Sequence, residues 1–167
     1  MSTVNLTVEN LTRDAFAPFG DVIEIEGRTP RIINQGTAER YNDLALVDVC
    51  DNGGRPLISI FRAQPAELPV QLRLMERHPI ASQAFIPLST TPYLVAVAEA
   101  DAQPTPERLR AFVTNGRQGI NLRRGTWHHP LLALQQISEF LVVDRGDDGG
   151  NYDEVSLENH SVMLDYH

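Results

Sequence analysis

One cysteine, Cys50, is all the thiol chemistry in this 167-residue chain. An internal disulfide is therefore excluded. Cys50 follows the apolar stretch Leu44 to Val49, which favours a buried small side chain over a catalytic thiol. No apolar run approaches the roughly 18 residues that a membrane helix needs. Met1-Ser2-Thr3-Val4-Asn5 has no basic head and no apolar signal core, so a cytoplasmic protein is expected. Positive charge is also short: 14 basic against 22 acidic residues leave a formal net charge of −8. That balance argues against nucleic acid and membrane surfaces as partners. It leaves room for a small anionic substrate, because a few arginines can govern one pocket. The chain further lacks internal repeats, a phosphate-cradling glycine loop, C-x-x-C or H-E-x-x-H spacing, and a Ser-His-Asp order.

What is present is a run of short apolar segments between turn signals. They are Asp21 to Ile25, Leu44 to Val49, Leu57 to Phe61, Gln71 to Met75, Ser82 to Leu88, Tyr93 to Ala98, Leu109 to Val113, Gly119 to Leu122 and Leu132 to Val143. Prolines fall mostly at their edges, where strands tolerate them. Many short, closely spaced strands predict an all-β sandwich or barrel. Helix is scarce: Thr12 to Ala17 suits one capped turn, and Thr105-Pro106-Glu107-Arg108 another. Gly149-Gly150 is the most linker-like spot, but a single domain over 1–167 is the simpler organisation.

Two histidine-bearing segments stand out. Glu76 and His78 share one face if their segment is a strand, and Gln83 follows closely. About fifty residues later comes Gly125-Thr126-Trp127-His128-His129-Pro130. Imidazole, carboxylate and amide oxygen are all competent ligands for a divalent first-row metal. Adjacent residues of an extended segment point apart, so His128 or His129 faces a shared pocket, and His128 is the choice. These histidines read either as hydrogen-bonded walls or as a metal or catalytic centre. Arg62 ends an apolar strand on the face of Ile58 and Ile60, and Arg40 precedes Tyr41. Either guanidinium suits a substrate carboxylate, or a surface ion pair. Trp127 reads chiefly as a packing residue and Asn115-Gly116 as a turn.

The Glu76-x-His78-x4-Gln83 and Gly125-x2-His128 segments resemble the two short motifs of the cupin superfamily. Glu76 stands where the first histidine of that pattern would be, Gln83 where its glutamate would be, and Arg123 where its second motif has proline. A closer resemblance is to the ureidoglycolate lyases, also called ureidoglycolate hydrolases, from about Phe16 to Arg145. It is carried by Phe19-Gly20-Asp21-Val22-Ile23, Glu39-Arg40-Tyr41-x-Asp43-Leu44-Ala45, Ile58-Ser59-Ile60-x-Arg62-Ala63, Glu76-Arg77-His78-Pro79, Gln83-Ala84-Phe85-Ile86-Pro87, Phe112-x-Thr114-Asn115-Gly116 and Trp127-His128-His129-Pro130-Leu131. The resemblance implies a cupin-like β-barrel of the jelly-roll kind, a homodimer, and cleavage of (S)-ureidoglycolate to glyoxylate and urea in allantoin degradation. It also implies a divalent metal, with nickel named.

On that footing the expected catalytic residues are His78, His128, Arg62 and Tyr41. Substrate contacts are expected from Arg40, Asn115, Asn121 and Trp127. The expected metal ligands are His78, Gln83, His128 and Glu76. Two other readings stay open: a different cupin-type metalloenzyme acting on a small carboxylate, such as an isomerase or dioxygenase, and a non-enzymatic small-molecule binding domain.

Overall fold

The computed structural model describes residues 3–147 and 149–167, and short strands make up nearly all of its regular structure. The chain opens with β1 (Thr3–Leu6), β2 (Val8–Asn10), one helical turn α1 (Arg13–Phe16) and β3 (Gly20–Ile23). A small hairpin follows, β4 (Arg31–Ile33) with β5 (Ala38–Arg40). Then come β6 (Arg55–Ala63), β7 (Val70–Leu72), β8 (Leu74–Arg77), β9 (Gln83–Pro87) and β10 (Tyr93–Ala98). The rest is β11 (Arg110–Val113), β12 (Gly119–Leu122), β13 (Trp127–His128), β14 (Leu132–Ala133), β15 (Ser138–Gly146), β16 (Asp153–Ser156) and β17 (Ser161–Leu164).

β10 shows how these strands are layered. All six of its residues are buried, and five of them are plain hydrocarbon. A strand reads as an uninterrupted apolar run when both of its faces are covered. Leu94, Ala96 and Ala98 pack on one side with Leu72, Val162 and Leu164. Tyr93, Val95 and Val97 pack on the other with Phe85, Ile120 and Phe140. β10 therefore lies in a middle sheet, ordered β16-β8-β13-β10-β11-β2. A three-stranded sheet, β1-β17-β7, covers one face, and a five-stranded sheet, β3-β12-β9-β15-β6, covers the other. Where β3 meets β12 the backbones almost touch: a Cβ on Gly20 would stand 1.9 Å from the carbonyl oxygen of Asn121.

The all-β expectation holds, and two main sheets facing each other is the jelly-roll arrangement rather than one closed ladder. β10 and β12 occupy the predicted residues. The turn at α1 is capped as predicted, with Thr12 Oγ1 accepting from the Ala15 amide at 3.2 Å. Thr105 also precedes a short helical turn, but its side chain makes no cap.

Three expectations are corrected. Leu44 to Val49 is irregular rather than a strand, because side chains satisfy its backbone. The Asp48 amide donates to Ser82 Oγ, the Leu46 carbonyl accepts from Asn121, and the Val49 carbonyl accepts from Arg145. Cys50 is exposed, since it leads this segment into a surface turn at Asp51–Gly53. Leu132 to Val143 divides into β14 and β15, with Gln135 between them at a φ of 66°.

The Arg110 guanidinium ties the N-terminal strand β2 to β11 through two hydrogen bonds to the Glu9 carboxylate, at 2.8 and 3.0 Å. This bond first, and the guanidinium charge with it, hold the Glu9 carboxyl below its ordinary range. A lowered carboxylate adds stability above the ordinary range, and that increment is lost as pH falls through the folded-state value. The Glu9→Gln variant should be about 0.5–1 kcal/mol less stable at pH 7, as befits a half-exposed pair. Chemical denaturation at pH 7 and pH 3 should show the gap closing at the lower pH.

Candidate active site

β8 and β13 run antiparallel with His128 directly opposite Glu76. The turn before β13 needs Gly125, whose φ is +79°. Its amide donates to the carbonyl of His78 at 2.8 Å, so the two histidine segments are fastened backbone to backbone. Gln83 arrives from the facing sheet, on β9. Its Oε1 lies 3.1 Å from His78 Nε2. Glu76, Gln83 and His128 therefore meet between the middle and five-stranded sheets, at the floor of a cavity of about 320 Å³. Phe61, Phe85, Phe140, Pro130 and Leu131 form its apolar wall, and Arg62 stands at its rim.

Hydrogen bonding fixes which imidazole nitrogen faces the floor. His128 Nδ1 is 3.1 Å from the carbonyl of Thr126, and a carbonyl only accepts. The proton therefore belongs on Nδ1, which leaves Nε2 with a bare lone pair. That Nε2 is buried, has no aligned hydrogen bond, and sits 3.3 Å from a Glu76 oxygen. His78 repeats the pattern: Nδ1 is 2.9 Å from the carbonyl of Asn151, so Nε2 turns its lone pair to Gln83 Oε1. Gln83 Nε2 donates to Asp144, which fixes the amide's orientation. Lone pairs thus meet lone pairs with no proton between them, an arrangement that calls for a cation.

Donor atoms of Glu76, His78 and His128 lie within 4.8 Å of one another. Two imidazoles, a carboxylate and an amide oxygen suit a divalent first-row ion. The orphaned Nε2 of His128 fits that reading, as do the carbonyls that orient both rings from behind.

The chain matches the family model described as Ureidoglycolate lyase over residues 3–164. It belongs to the ureidoglycolate lyase family. Relatives named ureidoglycolate lyase include one from Burkholderia mallei, 55% identical over 96% of this chain and 94% of its own. One from Burkholderia cepacia is 56% identical over 92% of this chain and 86% of its own. One from Brucella melitensis is 53% identical over 99% of this chain and 97% of its own. Among solved structures, RmlC from Streptococcus suis in complex with dTDP-D-xylose is similar at a TM-score of 0.41 and 9% identity. That match covers 57% of this chain and 46% of the other.

Of the residues singled out from the sequence, Glu76, Gln83 and His128 come together on the floor, His78 joins them from outside the cavity, and Arg62 reaches the rim. Arg62 is already engaged, its Nη2 lying 2.7 Å from Glu139. The other five lie elsewhere. Trp127 packs in the core on the far side of the middle sheet, under Arg77. Asn121 is buried between Asp21 and the Leu46 carbonyl. Asn115 Oδ1 caps its own turn by accepting from the amides of Arg117 and Gln118. Arg40 and Tyr41 belong to the β4–β5 hairpin and its exit, where the Tyr41 hydroxyl donates to Glu39. Asp144 and Asn151 position the floor and were not anticipated. Arg145, next to Asp144 in the chain, pairs with Asp147.

A divalent ion at saturating concentration should raise the melting temperature of chelator-treated protein, by the equivalent of about 3 kcal/mol at a hundredfold excess over Kd. The Glu76→Gln/His128→Ala double variant should show no such shift in differential scanning fluorimetry.

Proposed function

We propose that the chain is a carbon–nitrogen lyase that cleaves (S)-ureidoglycolate to glyoxylate and urea, and so serves allantoin degradation in the cytoplasm as a homodimer. The observation that carries this reading is the polar floor of Glu76, Gln83 and His128 beneath an apolar cavity, with His78 grouped beside Glu76 and His128. Membership of the family and the size of the cavity both agree with a small, polar, carbon-chain substrate. No helix among the described residues is long and apolar enough to cross a membrane.

Ureidoglycolate carries a carboxylate, a hydroxyl and a ureido nitrogen on one carbon. Elimination removes the hydroxyl proton, forms the carbonyl of glyoxylate, and breaks the carbon–nitrogen bond while urea nitrogen gains a proton. The proton count is unchanged, so one group can take the proton and return it. His78, Gln83, His128 and Glu76 would hold a divalent ion, nickel in our reading, which when bound supplies Lewis acidity toward the hydroxyl oxygen. Glu76 accepts the hydroxyl proton on its carboxylate. It then returns that proton to the departing nitrogen. The Thr126 and Asn151 carbonyls keep both imidazoles in fixed tautomers throughout. The wall of Phe61, Phe85 and Phe140 excludes water, which favours elimination over hydrolysis of the ureido carbonyl.

Protein supplied with racemic ureidoglycolate should release glyoxylate and urea in equal amounts, with no ammonia. Ammonia would indicate hydrolysis instead, and no product would leave a binding domain as the better reading. Glu76→Gln should lower kcat by roughly 100-fold or more. Arg62→Ala should raise KM by less than about tenfold, because Glu139 already neutralises that guanidinium.

A further inference from the structure

His78 is the floor donor that does not line the first cavity. It lines a second one, of about 260 Å³, behind the floor. The wall there also includes Ser82, Asp144, Arg145, Asp147, Asn151 and Tyr152. His78 and Gln83 separate the two spaces. Gln83 faces the first, while Asp144, which accepts from the Gln83 amide, faces the second. The donor group of Glu76, His78 and His128 is therefore reached from both sides.

The two spaces differ in chemistry. Phenylalanine, proline and leucine side chains wall the first, and Arg62 holds a guanidinium at its rim. A hydrated cation gives up water against such a wall and gains nothing in exchange. The second space offers oxygen instead: the Asp144 and Asp147 carboxylates and the Ser82 and Tyr152 hydroxyls. Oxygen donors suit a divalent cation that still carries water. The guanidinium in this wall, Arg145, has a side chain only 2% exposed. It is taken up by Asp147 and by the carbonyls of Val49 and Asp51.

Charge and space agree at the second mouth. Tyr152 is 53% exposed, and its hydroxyl donates to Glu154, which lies directly opposite Glu76 on the β8–β16 ladder. Glu154 thus adds a carboxylate beside the opening. Carboxylates along a cleft raise the local concentration of cations and speed their arrival. At Gly149 and Gly150, which also line this space, a Cβ would meet no atom within 4 Å, so that side is open. An ion with about six waters takes up roughly 180 Å³, at about 30 Å³ for each water, and the space has room for it.

We propose that this second cavity is the passage by which a divalent ion reaches and leaves the floor, received there by His78, while the first cavity serves the substrate. Ion exchange and substrate entry then use opposite sides of one donor group. A molecule seated in the first cavity does not seal the ion in. The passage rests on the reading of the floor as a cation centre, and not on which reaction that centre performs.

The test closes one mouth at a time. In a Cys50→Ser background, which removes the chain's single cysteine, Tyr152→Cys and Arg62→Cys each place one thiol at an exposed position. A bulky maleimide on that thiol then plugs the second or the first cavity. Chelator-treated protein is mixed with cobalt(II) in a stopped-flow instrument. Uptake is followed by quenching of Trp127, the single tryptophan and the neighbour of His128. The label at position 152 should slow uptake and release alike, by roughly tenfold or more, and leave Kd unchanged, because a passage alters rates and not end states. The label at position 62 should leave both rates within about twofold of the unlabelled protein. Slowing by the label at 62, alone or together with that at 152, would overturn the passage, and so would no slowing by either. A label at 152 that weakens Kd and leaves uptake fast would overturn it as well. Unlabelled protein that binds no cobalt(II) in titration calorimetry would overturn the cation reading and the passage with it. Ion-loaded protein that does not turn over ureidoglycolate would sink the lyase reading and leave the passage standing.

Discussion

The amide of Gly125 donates to the carbonyl of His78, and on that one bond the rest of the centre depends. It joins two segments about fifty residues apart and sets the register in which His128 faces Glu76. A Cβ at position 125 would meet the Ala100 methyl at 3.2 Å, and the backbone there has the left-handed φ that glycine tolerates at no cost. Once the segments are fastened, the carbonyls of Thr126 and Asn151 decide the tautomers, and the lone pairs of both imidazoles have nowhere to turn but inward. Backbone geometry thus dictates the chemistry of the floor.

The layered architecture explains why the floor is rigid on one side and open on the other. β10 of the middle sheet is buried on both faces, and the strands bearing Glu76 and His128 are anchored in one of its two cores through Met75 and Trp127. β9, which bears Gln83, is covered on its inner face and is left partly open outside only toward Ile86, and β6 beyond it forms the rim. The polar end of the cavity is therefore built on the most constrained layer, as a centre that must hold donors at fixed spacing requires. Its mouth is built on the least constrained.

What could be read from the sequence follows from where each segment is buried. β10 and β12 matched the predicted residues because they are covered on both faces or at close quarters, and composition alone reports that. Leu44 to Val49 misled because its apolar residues border the sheet without joining it, and its backbone is satisfied by Ser82, Asn121 and Arg145. β1, β2, β16 and β17 went unread. They are short and mixed in composition, and β1 pairs in parallel with β17 from the opposite end of the chain, which no local pattern reports. Within the centre, the histidines and Glu76 were legible as donor types at suggestive spacing. Asp144, Thr126 and Asn151 were not, because they act through a carboxylate on a neighbour or through main-chain carbonyls, and neither leaves a mark in spacing.

Gln83 is the one floor residue that comes from the facing sheet, and this makes the centre a gauge of the gap between two layers. Three donors move together with β8, β13 and the turn after β8, while the fourth moves with β9. The distance between them is set by Val95, Val97, Phe85 and the other side chains packed between the sheets. Shaving a methyl group from that packing, well away from any donor, would retune which ion radius the floor prefers. Any selectivity this centre has for an ion would thus be written partly in hydrocarbon.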